Sequence, residues 1–164
     1  MTRDEEALAE AQLSGQTADK LASEIAHMRA SDIHDHWRDW AVQYGTDLRA
    51  TTLSSSIKQL EVAALQRAME RVTVPRSIKA ILEVGCGNGQ NIVALARIFA
   101  EQALVWHGVD YVPQMVESAR KNAEAAGLTP RTKFIHGDVL KLSAIEGLDA
   151  RYGIVITDRL LINL

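Results

Sequence analysis

The run Glu83-Val84-Gly85-Cys86-Gly87-Asn88-Gly89 carries the clearest chemistry in this chain. Glycine at every second position permits a sharp turn and lets a ligand approach backbone that no side chain shields. Between a strand and a helix, such a loop also turns the free N–H groups and positive dipole end of the helix toward a polar or anionic group. Two acids follow. Asp110, in Gly108-Val109-Asp110-Tyr111, would stand at a strand tip, where a carboxylate accepts two hydrogen bonds from the vicinal hydroxyls of a ribose. It would equally serve to cap a helix starting at Pro113. Asp138, in Phe134-Ile135-His136-Gly137-Asp138-Val139, has the same two readings, ligand contact or N-cap.

The elements that would position these groups alternate. Residues 81–84, 104–109, 133–136 and 153–157 are short apolar runs and read as strands. Residues 88–100, 113–126 and 139–145 have helical spacing, with Pro113 in a first turn and Gly127 at a helix end. Strand and helix in strict alternation predict an α/β fold, a parallel sheet covered on both faces by helices. The three sites then converge on the carboxyl ends of the strands, where open sheets of this kind bind ligands.

Residues 1–75 read as an all-helical portion, separate from the sheet-forming residues 76–164. Leu21, Ile25 and Met28 share a helical face, and Ser14-Gly15 breaks the segment before them. Ser31 and Asp32 are caps for a helix that turns Ile33, Trp37, Trp40, Ala41 and Tyr44 to one side and stops at Gly45. Residues 46–56 read as a polar loop. Ser54–Ser56 then cap a third helix with Ile57, Leu60, Ala64, Leu65 and Ala68 inward, and Pro75 closes the portion.

Apolar residues make up 47% and charged residues 24%, the balance of an ordinary globular protein. The net charge of −3 gives no general attraction to phosphate backbones or acidic membranes, so neither a nucleic-acid nor a membrane partner is expected. A single cysteine, Cys86, excludes an internal disulfide framework and fits a reducing compartment. The acidic N-terminus lacks the basic start and apolar run of a secretory signal, so a cytoplasmic location is expected. His34 and His36 would point about 200° apart on a helix, which argues against a shared metal.

Taken in order, EVGCGNG, VDYVPQM and FIHGDV resemble the signature of class I, Rossmann-like S-adenosylmethionine-dependent methyltransferases. The GxGxG spacing differs from the GxGxxG of nicotinamide dehydrogenases. The resemblance implies S-adenosyl-L-methionine as cofactor, its methionine end over Gly85–Gly89, with Glu83, Cys86 and Asn88 in the same loop. It implies Asp110 at the ribose hydroxyls, Asp138 at the adenine amino group with the Val139 N–H near the ring, Tyr111 and Met115 around adenine and ribose, and Thr157 at the end of the fourth strand. The segments HWRDWAVQYGTDLRATT and VITDRLLINL are similar to a bacterial branch acting on small molecules, in which a helical N-terminal segment closes over the cofactor. The resemblance makes Tyr44, Thr51, Thr52 and Trp37 candidates for that lid, with Tyr44 and Thr51 at the cofactor; for the tryptophans core packing is the preferred reading. The resemblance spans about residues 34–164.

Such a reaction asks little of the protein: the donor is already activated, and proximity, alignment and exclusion of water carry the in-line transfer. No residue declares itself a general base. Asp158 and Arg159 follow the fourth strand near the acceptor side, or else form a surface turn. The TDRL segment departs from the Asn/Asp-Pro-Pro-Tyr/Phe run of enzymes methylating DNA bases, so the expected acceptor is a small molecule of sugar or natural-product type. The family sheet has seven strands and this sequence supplies about four, so the expectation is an incomplete fold: a fragment, or a chain completing its sheet with another chain or in a homodimer. The alternative function is a non-catalytic module that binds the adenosyl cofactor.

Overall fold

Short apolar runs joined by helices fold here as a parallel sheet whose central strand feeds the glycine loop. The computed structural model describes residues 32–72, 79–148, 151–158 and 160. The strands are β1 (Ala80–Val84), β2 (Val105–Asp110), β3 (Thr132–His136) and β4 (Tyr152–Ile156), in the order β3-β2-β1-β4. Every pairing is parallel. Val84 lies opposite Val109, Glu83 opposite Ile156, and Asp110 opposite His136, so the carboxyl ends of all four strands meet at one rim.

Among the described residues four α-helices are formed: α1 (residues 32–44), α2 (Ser55–Arg71), α3 (Gln90–Ile98) and α4 (Pro113–Ala125). From His36 onward the described residues belong to one unit. Strand alternation sends Ile81 and Glu83 to one face of β1, Leu82 and Val84 to the other. On the first face Ile81, Trp106, Phe134 and Ile156 bury against Met69 of α2, Ile92, Leu95 and Ala96 of α3, and Val116, Ala119 and Ala123 of α4. On the second, Leu82, Val84 and Val109 are covered by Val139, Leu142, Ile145, Leu148 and Leu160. That cover comes from a 3-10 segment, Val139–Ala144, kinked at Lys141, from the loop after it, and from Leu160 past β4. The sheet is therefore flanked as expected, but among the described residues its second face is covered by a 3-10 turn in place of a full α-helix. Arg131 ties the region together by donating to the carbonyls of Ala96 (2.8 Å) and Ala100 (2.9 Å) past the end of α3.

The elements follow the sequence reading closely, with two departures upstream. The polar loop after Gly45 contains one 3-10 turn, Leu48–Ala50, because the Asp47 carboxylate accepts the Arg49 N–H and caps it. Ser54 caps α2 as expected, accepting the Ile57 N–H at 3.3 Å. The inward face of α2 is rotated from the expected one: Ile57 and Leu60 are 48% and 68% exposed, and Ala64 and Ala68 are exposed. Val62, Leu65 and Met69 pack on the core, with Lys58 and Glu61 on the same side. The expectations for residues 1–31 and Pro75 lie outside the described residues.

Candidate cofactor and active site

The glycine loop is held by the strand beside it. The N–H groups of Gly85 and Cys86 both donate to the Val109 carbonyl, at 2.8 and 3.0 Å. Gly85, Gly87 and Gly89 have φ of 74°, 52° and 75°, left-handed values that glycine adopts freely. The space above the loop is narrow. A Cβ on Gly87 would come within 2.6 Å of the Thr51 methyl, and one on Gly85 within 3.0 Å of Leu160 Cδ1. Cys86 is buried against Gly108, and burial pushes its thiol well above the usual range, which suits a packing residue and not a nucleophile.

Asp110 organises the rim. Its Oδ2 accepts the Gly87 N–H at 2.7 Å and its Oδ1 the Val112 N–H at 2.9 Å. It thus fastens the glycine loop and holds the start of α4, which is the capping role of the two read from the sequence. Burial raises its pKa against these two hydrogen bonds. The Asp110 carbonyl accepts the Gly137 N–H at 3.0 Å, which brings the Asp138 segment to the same rim. Asp138 itself caps the 3-10 segment, accepting the Leu140 N–H at 2.9 Å, with Lys141 3.6 Å from its other oxygen. Tyr111 is exposed beside it, and its carbonyl is 3.0 Å from His136 Nε2. Val139 is half-buried beneath and Thr157 is exposed past β4. Met115 is only 2% exposed; it packs with Ala41, Ala50 and Val112.

The segment after α1 is tied down over the loop by three amides. Asn88, fully buried, donates to the Gly45 and Asp47 carbonyls at 3.1 and 2.8 Å. Gln90 and Asn122 both donate to the Thr46 carbonyl. Tyr44, Trp37 and Trp40 form an edge-to-face aromatic run there, with the Arg49 guanidinium 5.1 Å from the Tyr44 ring centre. Trp37 and Tyr44 pack against the Ala41–Met115 cluster, the core reading of the tryptophan. The Thr51 methyl lies against Gly87, and Thr52 is buried.

The site also contains a polar cluster of which sequence reasoning named only Glu83 and Asp158. Asn91 Nδ2 donates to Glu83 Oε1 at 2.8 Å and to Asp158 Oδ2 at 3.0 Å. Its Oδ1 accepts from Lys58 Nζ at 3.1 Å. Lys58 is also 2.8 Å from Glu61 and 4.0 Å from Asp158. Glu83 is 2% exposed, and its Oε2 has no hydrogen-bond partner among the described residues. Burial pushes Glu83 up to about 8, with the Asn91 hydrogen bond and the Lys58 charge pulling the other way. Arg159 lies outside the described residues, and no group of three or more metal-ligating side chains occurs among the described ones.

An adenosyl cofactor fits the chemistry of these residues: a left-handed glycine turn between β1 and α3, a carboxylate at the second strand tip, and a buried carboxyl oxygen beside the loop that lacks a hydrogen-bond partner among the described residues. The fold is the Rossmann-like one of class I methyltransferases. Residues 81–162 match the methyltransferase domain family, and the chain belongs to it. S-adenosyl-L-methionine, the cofactor expected from the sequence, is the cofactor of this fold. The chain is 38% identical over 81 residues to the 23S rRNA (uracil(1939)-C(5))-methyltransferase RlmD of Shewanella sp. (strain MR-7), which covers 49% of this chain and 17% of that protein. It is 36% identical over 62 residues to the aklanonic acid methyltransferase DauC of Streptomyces sp. (strain C5), covering 38% of this chain and 28% of that one. A solved methyltransferase from Thiobacillus denitrificans, in complex with S-adenosyl-L-homocysteine, is 32% identical with a TM-score of 0.37, covering 48% of this chain and 29% of that chain.

The RlmD similarity overturns the expectation that excluded nucleic acid. Net charge over a whole chain does not locate the surface that meets an acceptor, and this chain spans 17% of that relative. Nor does the absence of one acceptor motif remove the other acceptors of a shared cofactor domain. Among the described residues no helix is long and apolar enough to cross a membrane.

Proposed function

We propose that this chain binds S-adenosyl-L-methionine along the carboxyl ends of β1, β2 and β3 and serves methyl transfer. The observation that carries the reading is the bond from Gly87 N–H to Asp110, which sets a carboxylate beside the glycine turn at one rim. In this reading Gly85–Gly89 receive the methionine end, Asp110 the ribose hydroxyls, and Asp138 and Val139 the adenine edge, with Tyr111 alongside. The bound cofactor supplies an activated methyl group. The protein supplies position and dryness: Thr51, Tyr44 and Leu160 close the loop from above, and Asp158 lines the acceptor side. A small molecule of natural-product type is the acceptor we favour for assay, supported by the name of DauC; the name of RlmD puts ribosomal RNA in the same assay.

Calorimetric titration with S-adenosylhomocysteine and with NAD tests the cofactor. Saturable binding of the first and none of the second is expected; the reverse overturns the reading. Radiolabelled methyl transfer to a metabolite extract and to ribosomal RNA tests the reaction, with label expected in one of the two. Cofactor binding without label in either defeats the enzymatic part.

A further inference from the structure

We propose that Lys58 is a positioning residue of the cofactor site: its ammonium, delivered by α2, orients the Asn91 amide so that the amide nitrogen holds Glu83 and Asp158 together at the ends of β1 and β4. The cofactor part of this statement rests on the proposed function; the arrangement of side chains does not.

The geometry is directional. An amide has one acceptor and one donor end. Lys58 Nζ, a pure donor, meets Asn91 Oδ1 at 3.1 Å and so fixes which way the amide faces. The two hydrogens on Nδ2 are then spent on two different carboxyl groups, Glu83 at 2.8 Å and Asp158 at 3.0 Å. A flipped amide would set its oxygen against both carboxyls, which Lys58 prevents. Three acids gather here, Glu61 of α2, Glu83 of β1 and Asp158 after β4, with Asp110 near enough to act on Glu83 electrostatically. Among the described residues Lys58 sets its ammonium against Glu61 and Asp158, its side chain only 12% exposed. Screening by water is correspondingly weak, and its charge favours ionised carboxylates in a place where burial disfavours them.

The role also accounts for the orientation of α2. A helix packed only by its apolar residues would turn Ile57 and Leu60 inward; instead these are exposed and Lys58 faces the sheet. Glu61, one turn along, meets the same ammonium at 2.8 Å. A cation held from both sides is a fixed strut.

The test uses Lys58→Met and Lys58→Arg in the full chain, with two readouts. The first is the titration midpoint of Glu83, followed by carbon-13 NMR of labelled glutamate without cofactor and assigned with Glu83→Gln. The second is affinity for S-adenosylhomocysteine by calorimetry at neutral pH. Lys58→Met is expected to move the midpoint upward and to weaken affinity about tenfold, the size of one lost charge-assisted hydrogen bond. Lys58→Arg is expected to keep the midpoint near that of the wild type. A methionine variant that lowers only the melting temperature, with midpoint and affinity unchanged, overturns the proposal. If the methionine variant does not fold, the arginine variant decides: a midpoint displaced upward despite the retained charge overturns the assignment. If the wild-type chain binds no S-adenosylhomocysteine, the proposed function fails while the midpoint shift still tests the strut.

Discussion

Gly87 and Asp110 are joined by a 2.7 Å hydrogen bond from backbone N–H to carboxylate, and through it the loop after β1 is locked to the tip of β2. The same carboxylate holds Val112 at the start of α4. Replacing Asp110 by Ala leaves two N–H groups without their acceptor. The expected result is a loss of about 2 kcal/mol in unfolding free energy and a fall in S-adenosylhomocysteine affinity of at least about 30-fold. Asp110→Asn keeps one acceptor oxygen but turns an amide N–H toward the other backbone N–H, so it should recover only part of the stability and not the affinity. Urea unfolding and calorimetry on both variants check this.

Gly87 and Thr51 form a steric pair. Gly87→Ala combines a φ of 52° with a Cβ 2.6 Å from the threonine methyl. A cost of about 2 kcal/mol is expected from strain and overlap together. Thr51→Ser removes that methyl, so the double variant should recover part of the loss while the single Thr51→Ser change stays near neutral. Additive effects in a double-mutant cycle would show that the two residues do not meet.

Asn88, itself buried, anchors the segment after α1 by two part-buried hydrogen bonds. Asn88→Ala should destabilise the chain by about 2–3 kcal/mol. Because the bonds end on Gly45 and Asp47, the change should appear first as faster amide exchange in residues 45–52. Uniform acceleration across the sheet and the segment alike would count against a local tie.

Glu83 links stability to pH. Its carboxyl, pushed up to about 8 when folded, binds a proton more tightly in the native than in the unfolded chain. A raised acid contributes stability that is fully present below its unfolded pKa and is lost as pH rises through the folded value. Glu83's contribution should therefore fall between about pH 4.5 and about pH 8. Asp110, also raised, adds a contribution of the same sign. Glu83→Gln, a neutral isostere, should flatten the wild-type slope and be relatively more stable at pH 9 than at pH 5. Denaturant midpoints at half-unit pH steps measure it; parallel curves for the two proteins would refute the shift.

Much of the fold is legible in the sequence because its signals are local. Four apolar runs, Pro113 in a first turn and the glycine loop each declare themselves within a few residues. The place of Asp110 at the rim is legible because the apolar run before it ends at Val109 and a helix start follows at Pro113. What escapes is set by distance. Nothing near Gly45–Asp47 says that the amides of Asn88, Gln90 and Asn122 will bond its carbonyls. The face of α2 misleads because apolar periodicity ignores what a buried carboxyl demands. Glu83 draws Asn91 to it and, through Asn91, Lys58, and this polar chain turns Ile57 and Leu60 outward. Met115 is placed by α1, whose Ala41 packs on it, so position in the cofactor signature alone does not fix where it points.

The strand order also has a consequence for how the polypeptide comes together during synthesis. Ala80 opens β1 and lies opposite both Val105 and Tyr152. The strand translated first thus acquires one neighbour early and the other only after β2, α4 and β3 have emerged. Pairings between such distant stretches form slowly, and until they do one margin of the nascent sheet stays bare.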